Sequence, residues 1–326
     1  PPRRAARGAR PPLFSHECCS PGSSRTWPAQ PEARQAGLHS PGKGLPVRAA
    51  MEGWACQPCF GAKLQVAHAA PAAGIWDMAG RAQTVCGPVD PAELGKTLAH
   101  EHLLIDLSWA RDPRTASDRV FFEKPLDMDV CGCCRHYNMA NKADLMLGSV
   151  DVAVSAMQRF RMAGGGAVVE PTSIGIGRDP LGLQEISRGS GVHVVMGTAF
   201  YVASVHPKEL KDWTVAEIAK MLVDDIVYGA TLSRQSPSSG TTTVHSSSSG
   251  VRAGIIGELG CSWPLHPDEA KVLQASAVAQ RSTGAAISVH PGRDEAAPME
   301  ILRVLEAAGA DLSRVVMCHI DRTVFK

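Results

Sequence analysis

From Met78 to the end of the chain, short β-rich runs alternate with helical patterns, and this alternation restricts the fold more than any other feature. Such a rhythm is typical of βαβ units, in which a helix returns the chain to the start of the next parallel strand. It predicts an α/β protein on a parallel sheet, either a barrel or an open doubly wound sheet. The predicted strands are 96–104, 167–170, 192–195, 253–258, 286–290 and 315–319.

The predicted helices lie between these strands. In 214–228, Thr214 and Glu217 form a capping box, apolar residues follow at helical spacing, and Gly229 stands where a C-cap glycine belongs. The same reasoning predicts helices at 149–163, 267–284 and 298–308. Arg178 and Asp179 are interpreted as a capped junction between a loop and a helix.

Composition excludes several classes of function. The 326 residues include 33 basic and 32 acidic side chains, a net charge of +1, which argues against binding to nucleic acid or to an anionic membrane. The chain has no apolar run of the ~18–20 residues that a membrane span requires. The ten cysteines lack the spacing of a zinc ribbon or a disulfide framework. Together these features predict a soluble, cytoplasmic protein with reduced thiols.

Two segments are expected to lie outside the folded core. Residues 1–77 begin with a basic, proline-rich stretch and are expected to be a disordered or non-native extension, which leaves 78–326 as the folded domain. The Ser-rich insert, residues 233–250, is predicted to be a flexible surface loop without a packing role.

Ionisable side chains recur where the predicted strands end. They are His100, His102, Glu258, His290 and His319. The carboxyl ends of barrel strands meet at one mouth, where barrel enzymes carry their sites, so this placement favours the barrel over the open sheet. Four imidazoles and a carboxylate suit zinc or a similar divalent ion, and a carboxylate can bridge two ions. Each residue taken singly could be structural, but their joint placement predicts a metal site.

Several stretches resemble the phosphotriesterase-like branch of the amidohydrolase superfamily. They are residues 97–102, 254–263, 290–293 and 319–322. The resemblance implies a (β/α)8 TIM barrel of the metal-dependent hydrolase type that holds two divalent metal ions, usually zinc. It further implies that His100 and His102 bind one ion, that Glu258 bridges both, and that His290 and His319 bind the second.

The resemblance also implies a reaction, the metal-assisted hydrolysis of a small-molecule substrate. Small N-acyl amino acid or N-acyltaurine amides are the expected substrates, ahead of phosphotriesters or lactones. Arg293 could meet an anionic carboxylate or sulfonate, or could form a salt bridge under the rim. Tyr201 could line the pocket or could serve packing. The oligomeric state is left open.

The sequence departs from the family pattern near its end. The family completes its site with an aspartate after the eighth strand. Lys326 follows His319 by seven residues, whereas another strand–helix–strand unit needs ~30 residues. The barrel is therefore expected to be truncated after the sixth strand, without this aspartate. A catalytically inactive truncated isoform or fragment is the alternative hypothesis.

Overall fold

A computed structural model describes residues 80–323 except 112, 138 and 236–241. Twelve strands occur in these residues: β1 Ala82–Thr84, β2 Gly87–Val89, β3 Lys96–Leu98, β4 Ile105–Asp106, β5 Met146–Leu147, β6 Gly165–Glu170, β7 His193–Thr198, β8 Thr231–Gln235, β9 Thr242–Ser248, β10 Ile255–Gly260, β11 Ile287–His290 and β12 Val315–Met317. The helices of the same residues are α1 Ala116–Glu123, α2 Met128–His136, α3 Val150–Met162, α4 Pro180–Ser190, α5 Val215–Val227, α6 Pro267–Thr283, α7 Ala297–Ala307 and α8 Ile320–Thr323.

Six of the strands form one parallel sheet, in the order β3-β6-β7-β10-β11-β12. This order follows the sequence without a reversal. An open doubly wound sheet reverses direction at a switch point, whereas a barrel is wound in one direction. The sheet is therefore a half-barrel of six strands, which confirms the α/β class and resolves the choice between the two architectures.

The helices connect successive strands and cover the outside of the sheet. Local signals define them well: Thr214 and Glu217 form the predicted capping box of α5, and Gly284 ends α6 in a left-handed conformation. Asp179 caps α4 as predicted, through its side chain and the amide of Gly182. The predicted helices at 149–163, 214–228, 267–284 and 298–308 are confirmed as α3, α5, α6 and α7.

The core lies on both faces of the parallel sheet. Val168, Val194, Ile256 and Val289 lie on four adjacent strands and are all almost completely buried. Strands that are apolar on both faces need helices over them, which explains the near-continuous aliphatic runs in the sequence. Because these buried strands are parallel neighbours, their carboxyl ends lie together at one edge of the sheet.

Two predicted elements differ from the structure. Residues 96–104 were expected to be the first strand and its exit, with His100 and His102 on the strand. β3 ends at Leu98, so both histidines lie in the loop that follows it. The last strand was expected to reach His319, but β12 ends at Met317, and His319 has a left-handed backbone with φ 55°. The side chains at both ends therefore enter the site from loops.

Part of residues 233–250, expected to form a loop without a packing role, is paired and packed instead, while the flexibility of this insert stays a prediction. The structure forms an antiparallel hairpin there, in which β8 pairs with β9. Thr242 is buried, and its hydroxyl donates to the Val205 carbonyl at 3.1 Å. Threonine-rich segments have high strand propensity, and this contact gives the hairpin a packing partner. Residues 236–241 lie outside the described residues.

The separation of residues 1–77 from the folded domain stays a prediction, because these residues lie outside the described part of the chain. Among residues 80–323, as far as they are described, no helix is both long enough and apolar enough to cross a membrane.

Candidate metal centre

Glu258 lies at the middle of the candidate site. It is the fourth residue of β10, between β7 and β11, and is 2% exposed. The backbone before it requires glycine: Gly257 has φ +125°, and a Cβ there would lie 2.2 Å from the Ser288 carbonyl oxygen. The sheet therefore holds the Glu258 carboxylate rigidly at its carboxyl edge.

Four imidazoles converge on this carboxylate. His100 Nε2 lies 3.5 Å from Oε2 and His102 Nε2 lies 3.3 Å from Oε1. From the other side, His290 Nδ1 lies 3.1 Å and His319 Nε2 3.6 Å from Oε2. The ring centroids of His100 and His319 are 5.0 Å apart, so the four rings form one continuous cluster. The structure thus brings all five sequence-predicted ligands together.

Two opposing effects set the pKa values in the cluster. Burial disfavours the charged form of each group, whereas attraction between Glu258 and the histidines favours it. Burial would raise the pKa of Glu258, but hydrogen bonds from His102, His290 and His319 outweigh it and hold that pKa well below its usual range. Burial lowers the pKa values of His100 and His290. The pKa of His102 is raised, because its hydrogen bond and attraction to Glu258 exceed the effect of burial.

A hydrogen-bonded chain behind His102 sets the orientation of its ring. Thr172 Oγ1 lies 2.7 Å from His102 Nδ1 and donates its own proton to Glu170 Oε1 at 2.6 Å. When Glu170 is ionised, Thr172 Oγ1 accepts the Nδ1–H of His102, which leaves Nε2 without a proton in the neutral ring. Glu170 is completely buried and also accepts the Leu103 amide at 3.1 Å. Outer partners of this kind fix the tautomer of metal-ligating histidines.

The donor set fits divalent metal ions. The ligand atoms of His100, His102 and Glu258 all lie within 4.8 Å of one another, and so do those of Glu258, His290 and His319. In the neutral His102 ring, the bare Nε2 faces a carboxylate oxygen, and two acceptors at that distance require a cation or a proton between them. His100 Nε2 is buried without a hydrogen-bond partner, and its lone pair would be available to coordinate a metal ion. The assignment of these residues as ligands remains a prediction.

The two predicted substrate residues lie near the same centre. The Tyr201 hydroxyl is 3.4 Å from both ring nitrogens of His290, and burial, followed by the charge of Glu258, raises the pKa of this phenol well above its usual range. Arg293 is exposed in the loop after β11, and its positive charge partly opposes the rise in the pKa of Tyr201. Their role in substrate binding remains a prediction.

The sequence analysis assigned no role to other residues at the site. Arg322 Nη1 lies 3.3 Å from His290 Nε2, and Nη2 donates to the Pro291 carbonyl at 3.1 Å. Burial and then the charge of Arg293 lower the pKa of Arg322. The Glu170 chain was missed as well, although a carboxylate at the end of a predicted strand is the signal that identified Glu258.

The fold and the site define an α/β protein of the barrel class that carries a histidine–carboxylate cluster at the carboxyl end of its strands. Residues 80–326 match the sequence profile of the Phosphotriesterase family, and the chain belongs to that family. The resemblance in the sequence is thereby confirmed. The members of this family are metal-dependent hydrolases, in agreement with the donor set.

Individual relatives narrow the comparison. The chain is 38% identical over 250 residues to N-acetyltaurine hydrolase of Tetraodon nigroviridis. The aligned residues cover 76% of this chain and 67% of that protein. It is equally similar, with the same coverage, to phosphotriesterase-related protein of Nematostella vectensis. Among solved structures, a resiniferatoxin-binding protein of Rhodobacter sphaeroides superposes with a TM-score of 0.66 at 33% identity, over 74% of this chain and 64% of that one. The chain thus spans about two thirds of the length of these relatives.

Proposed function

We propose that the protein is a metal-dependent hydrolase of small acyl amides that carry an acidic group, such as N-acyltaurines and N-acyl amino acids. The observation that carries the proposal is the convergence of four imidazoles on the buried Glu258 carboxylate at the mouth of the half-barrel. Family membership supports hydrolysis, and the names of the relatives support the amide class.

The proposed centre holds two divalent ions, most favourably zinc, because imidazole and carboxylate donors suit that metal. His100 and His102 would hold one ion, His290 and His319 the other, and Glu258 would bridge them. Two ions in this position would supply a Lewis acid and would lower the pKa of water. Thr172, hydrogen-bonded to Nδ1 of His102, would keep Nε2 free to bind an ion, and Glu258 is buried at the end of its strand.

The basic residues at the mouth support an anionic substrate. Arg293 is exposed, and its charge lowers the pKa of Arg322, whose Nε is buried without a hydrogen-bond partner. A sulfonate or carboxylate presents several acceptor oxygens to such a guanidinium pair. The Tyr201 hydroxyl, against His290, would contact the substrate between this anion site and the proposed metal centre.

The proposal is tested on the full-length protein with a panel of N-acetyltaurine, N-acetyl amino acids, N-acetylethanolamine, a lactone and a phosphotriester. We expect fastest hydrolysis of the acidic amides and loss of activity with a chelator, restored by zinc. Arg293→Ala should raise KM for the acidic amides about tenfold, roughly 1.4 kcal/mol of binding, and should leave N-acetylethanolamine almost unchanged. Arg303→Ala, on the outer helix α7, is the matched control.

Each contrary result has a defined meaning. Faster cleavage of the lactone or the phosphotriester would contradict the amide class. Full activity after metal removal would contradict the metal-dependent reaction, and no hydrolysis of any substrate by zinc-loaded protein would favour the inactive alternative.

A further inference from the structure

A second buried carboxylate, Glu269, lies behind the proposed centre. It is the third residue of α6 and is 1% exposed. Its Oε1 accepts the Ala203 amide at 2.8 Å, and its Oε2 accepts the Ser262 amide at 2.8 Å and the His266 amide at 3.1 Å. The Ser262 hydroxyl lies 2.9 Å and 2.8 Å from the two oxygens. One side chain thus receives hydrogen bonds from three backbone amides and a hydroxyl.

The amides belong to different parts of the chain. Ala203 begins a short 3-10 helix two residues after Tyr201, and the N-cap residue of that helix, Val202, makes no side-chain cap. The Glu269 carboxylate, which belongs to α6, accepts the Ala203 amide in place of a cap from Val202. Ser262 lies four residues after Glu258, in the loop that leaves β10. Glu269 therefore joins the Tyr201 loop, residues 199–206, to the loop that follows the Glu258 strand.

The two loops are in close backbone contact at this point. The Gly260 amide donates to the Phe200 carbonyl at 3.1 Å. A Cβ at Gly260 would lie 2.3 Å from the Val202 nitrogen and 2.4 Å from the Tyr201 carbonyl carbon, so no larger residue fits between the loops. His206 Nε2, 2.7 Å from the Tyr201 carbonyl oxygen, holds the loop from its other end.

We propose that Glu269 is a positioning residue: its carboxylate fixes the Tyr201 loop on the end of the Glu258 strand and thereby holds the Tyr201 hydroxyl against His290. The inference rests on the proposed function, in which Tyr201 contacts substrate. A carboxylate suits this task because it accepts every hydrogen bond offered, whereas the NH2 group of an amide side chain would face backbone N–H donors.

The test compares Glu269→Gln with Glu217→Gln in the full-length protein. Glu217 occupies the same third helical position in the capping box of α5, where it is exposed and binds Thr214. Glu269→Gln should keep its metal content and lose roughly ten- to a hundredfold in kcat with KM within about threefold, as expected from misplacement of a substrate-contacting group. Glu217→Gln should leave both constants unchanged.

A double-mutant cycle with Tyr201→Phe separates positioning from a general loss of structure. If Glu269 acts through Tyr201, then Tyr201→Phe should cost little further activity in the Glu269→Gln protein. Fold losses in kcat that multiply would overturn the inference, and so would a kcat within about twofold of wild type for Glu269→Gln.

Hydrogen exchange gives a readout that does not need activity. Amides in 199–206 and 261–266 should exchange at least about tenfold faster in Glu269→Gln and at the wild-type rate in Glu217→Gln. Unchanged exchange would overturn the inference even if the wild type hydrolyses amides. A wild type that hydrolyses no amide would refute the proposed function. The exchange measurement would still show whether Glu269 holds the two loops together. If Glu269→Gln does not fold, Ser262→Ala removes the hydroxyl, one of the four donors to Glu269, and should give the same pattern at smaller amplitude.

Discussion

At the scale of single residues, the two oxygens of Glu258 organise the candidate site. Removing a carboxylate from water is costly, and this one is 2% exposed, so its burial requires compensating partners. The imidazoles on either side supply them and hold its pKa low. The same geometry leaves ring nitrogens aimed at one anion, an arrangement in which divalent cations replace protons favourably.

The sequence was sufficient to identify these residue types, because histidine and glutamate at successive strand ends are conspicuous without any coordinates. It was insufficient for their orienting partners. Thr172 lies 70 positions from His102, and an ordinary threonine carries no signal of a contact made across the site. No role was predicted for Arg322 either, although it follows His319 by three residues. Its contact with His290 joins separate parts of the chain and has no signal in the sequence.

Thr172→Val should weaken metal binding about ten- to a hundredfold, because His102 would lose the acceptor that fixes its tautomer. The dissociation constant is measured by competition with a chromophoric chelator. Thr172→Ser keeps the hydroxyl and is the matched control, expected within about threefold of wild type. Equal affinity in the valine variant and wild type would refute an orienting role for Thr172.

At the scale of elements, local signals predicted the helices well. Caps and apolar spacing act within one or two turns, so α5 and α6 could be placed from the sequence to within a residue or two. The end of β3 depends on pairing with β6, which lies far away in the sequence. Such a non-local contact decides the limit of a strand, which explains why the end of β3 was predicted wrongly. The β8–β9 hairpin is a local pairing, and the serine-rich composition of the segment gave no clear strand signal for it.

The capping box of α5 gives a pH-dependent prediction. Hydrogen bonds from the Thr214 amide and hydroxyl lower the pKa of Glu217 in the folded state, below its ordinary 4.5. The stabilisation is therefore fully present above the ordinary pKa and is lost as the pH falls through the lowered one. The difference in urea midpoint between wild type and Glu217→Gln should be constant above about pH 5.5 and should shrink below about pH 4. A difference that grows on acidification would contradict this sign.

A buried ion pair joins the loop after β6 to β7, α5 and β8. Arg178 Nη1 lies 2.7 Å from Asp225 Oδ2, and both side chains are fully buried. The Thr198 hydroxyl donates to the same oxygen at 2.6 Å, and the Thr231 amide donates to the other at 2.6 Å. The interpretation of Arg178 as an ordinary junction residue was therefore incomplete: its guanidinium connects the loop after β6 to α5.

Arg178→Met should destabilise the protein by about 3–5 kcal/mol, because it leaves the Asp225 charge buried without its partner. The free energy of unfolding is measured by denaturant titration. Arg178→Lys keeps the charge but not the planar fork, and should fall between methionine and wild type. A loss below about 1 kcal/mol in the methionine variant would show that the pair is not needed to hold these elements together.

At the scale of the whole molecule, the sheet order explains why five side chains, the first at residue 100 and the last at residue 319, meet at one place. Six parallel strands wound in one direction present six carboxyl ends to one mouth. The fourth and fifth strands carry Glu258 and His290 near their own ends, and the loops after the first and sixth strands bring in the other proposed ligands. The alternation of elements predicted parallel strands with crossovers of fixed hand, and the observed strand order then selected the barrel winding over the open sheet. Family membership agrees with this architecture.

The central claim is that five side chains form one binuclear centre, and metal stoichiometry tests it most directly. Full-length protein is stripped with a chelator, reloaded with zinc, freed of excess ion and measured by inductively coupled plasma mass spectrometry beside Glu258→Gln, with Glu217→Gln as the control for an outlying carboxylate. We predict close to two ions per chain in wild type and in the control, and loss of at least one ion from Glu258→Gln. A wild type that retains none, or a Glu258→Gln protein that still retains two, would contradict the account.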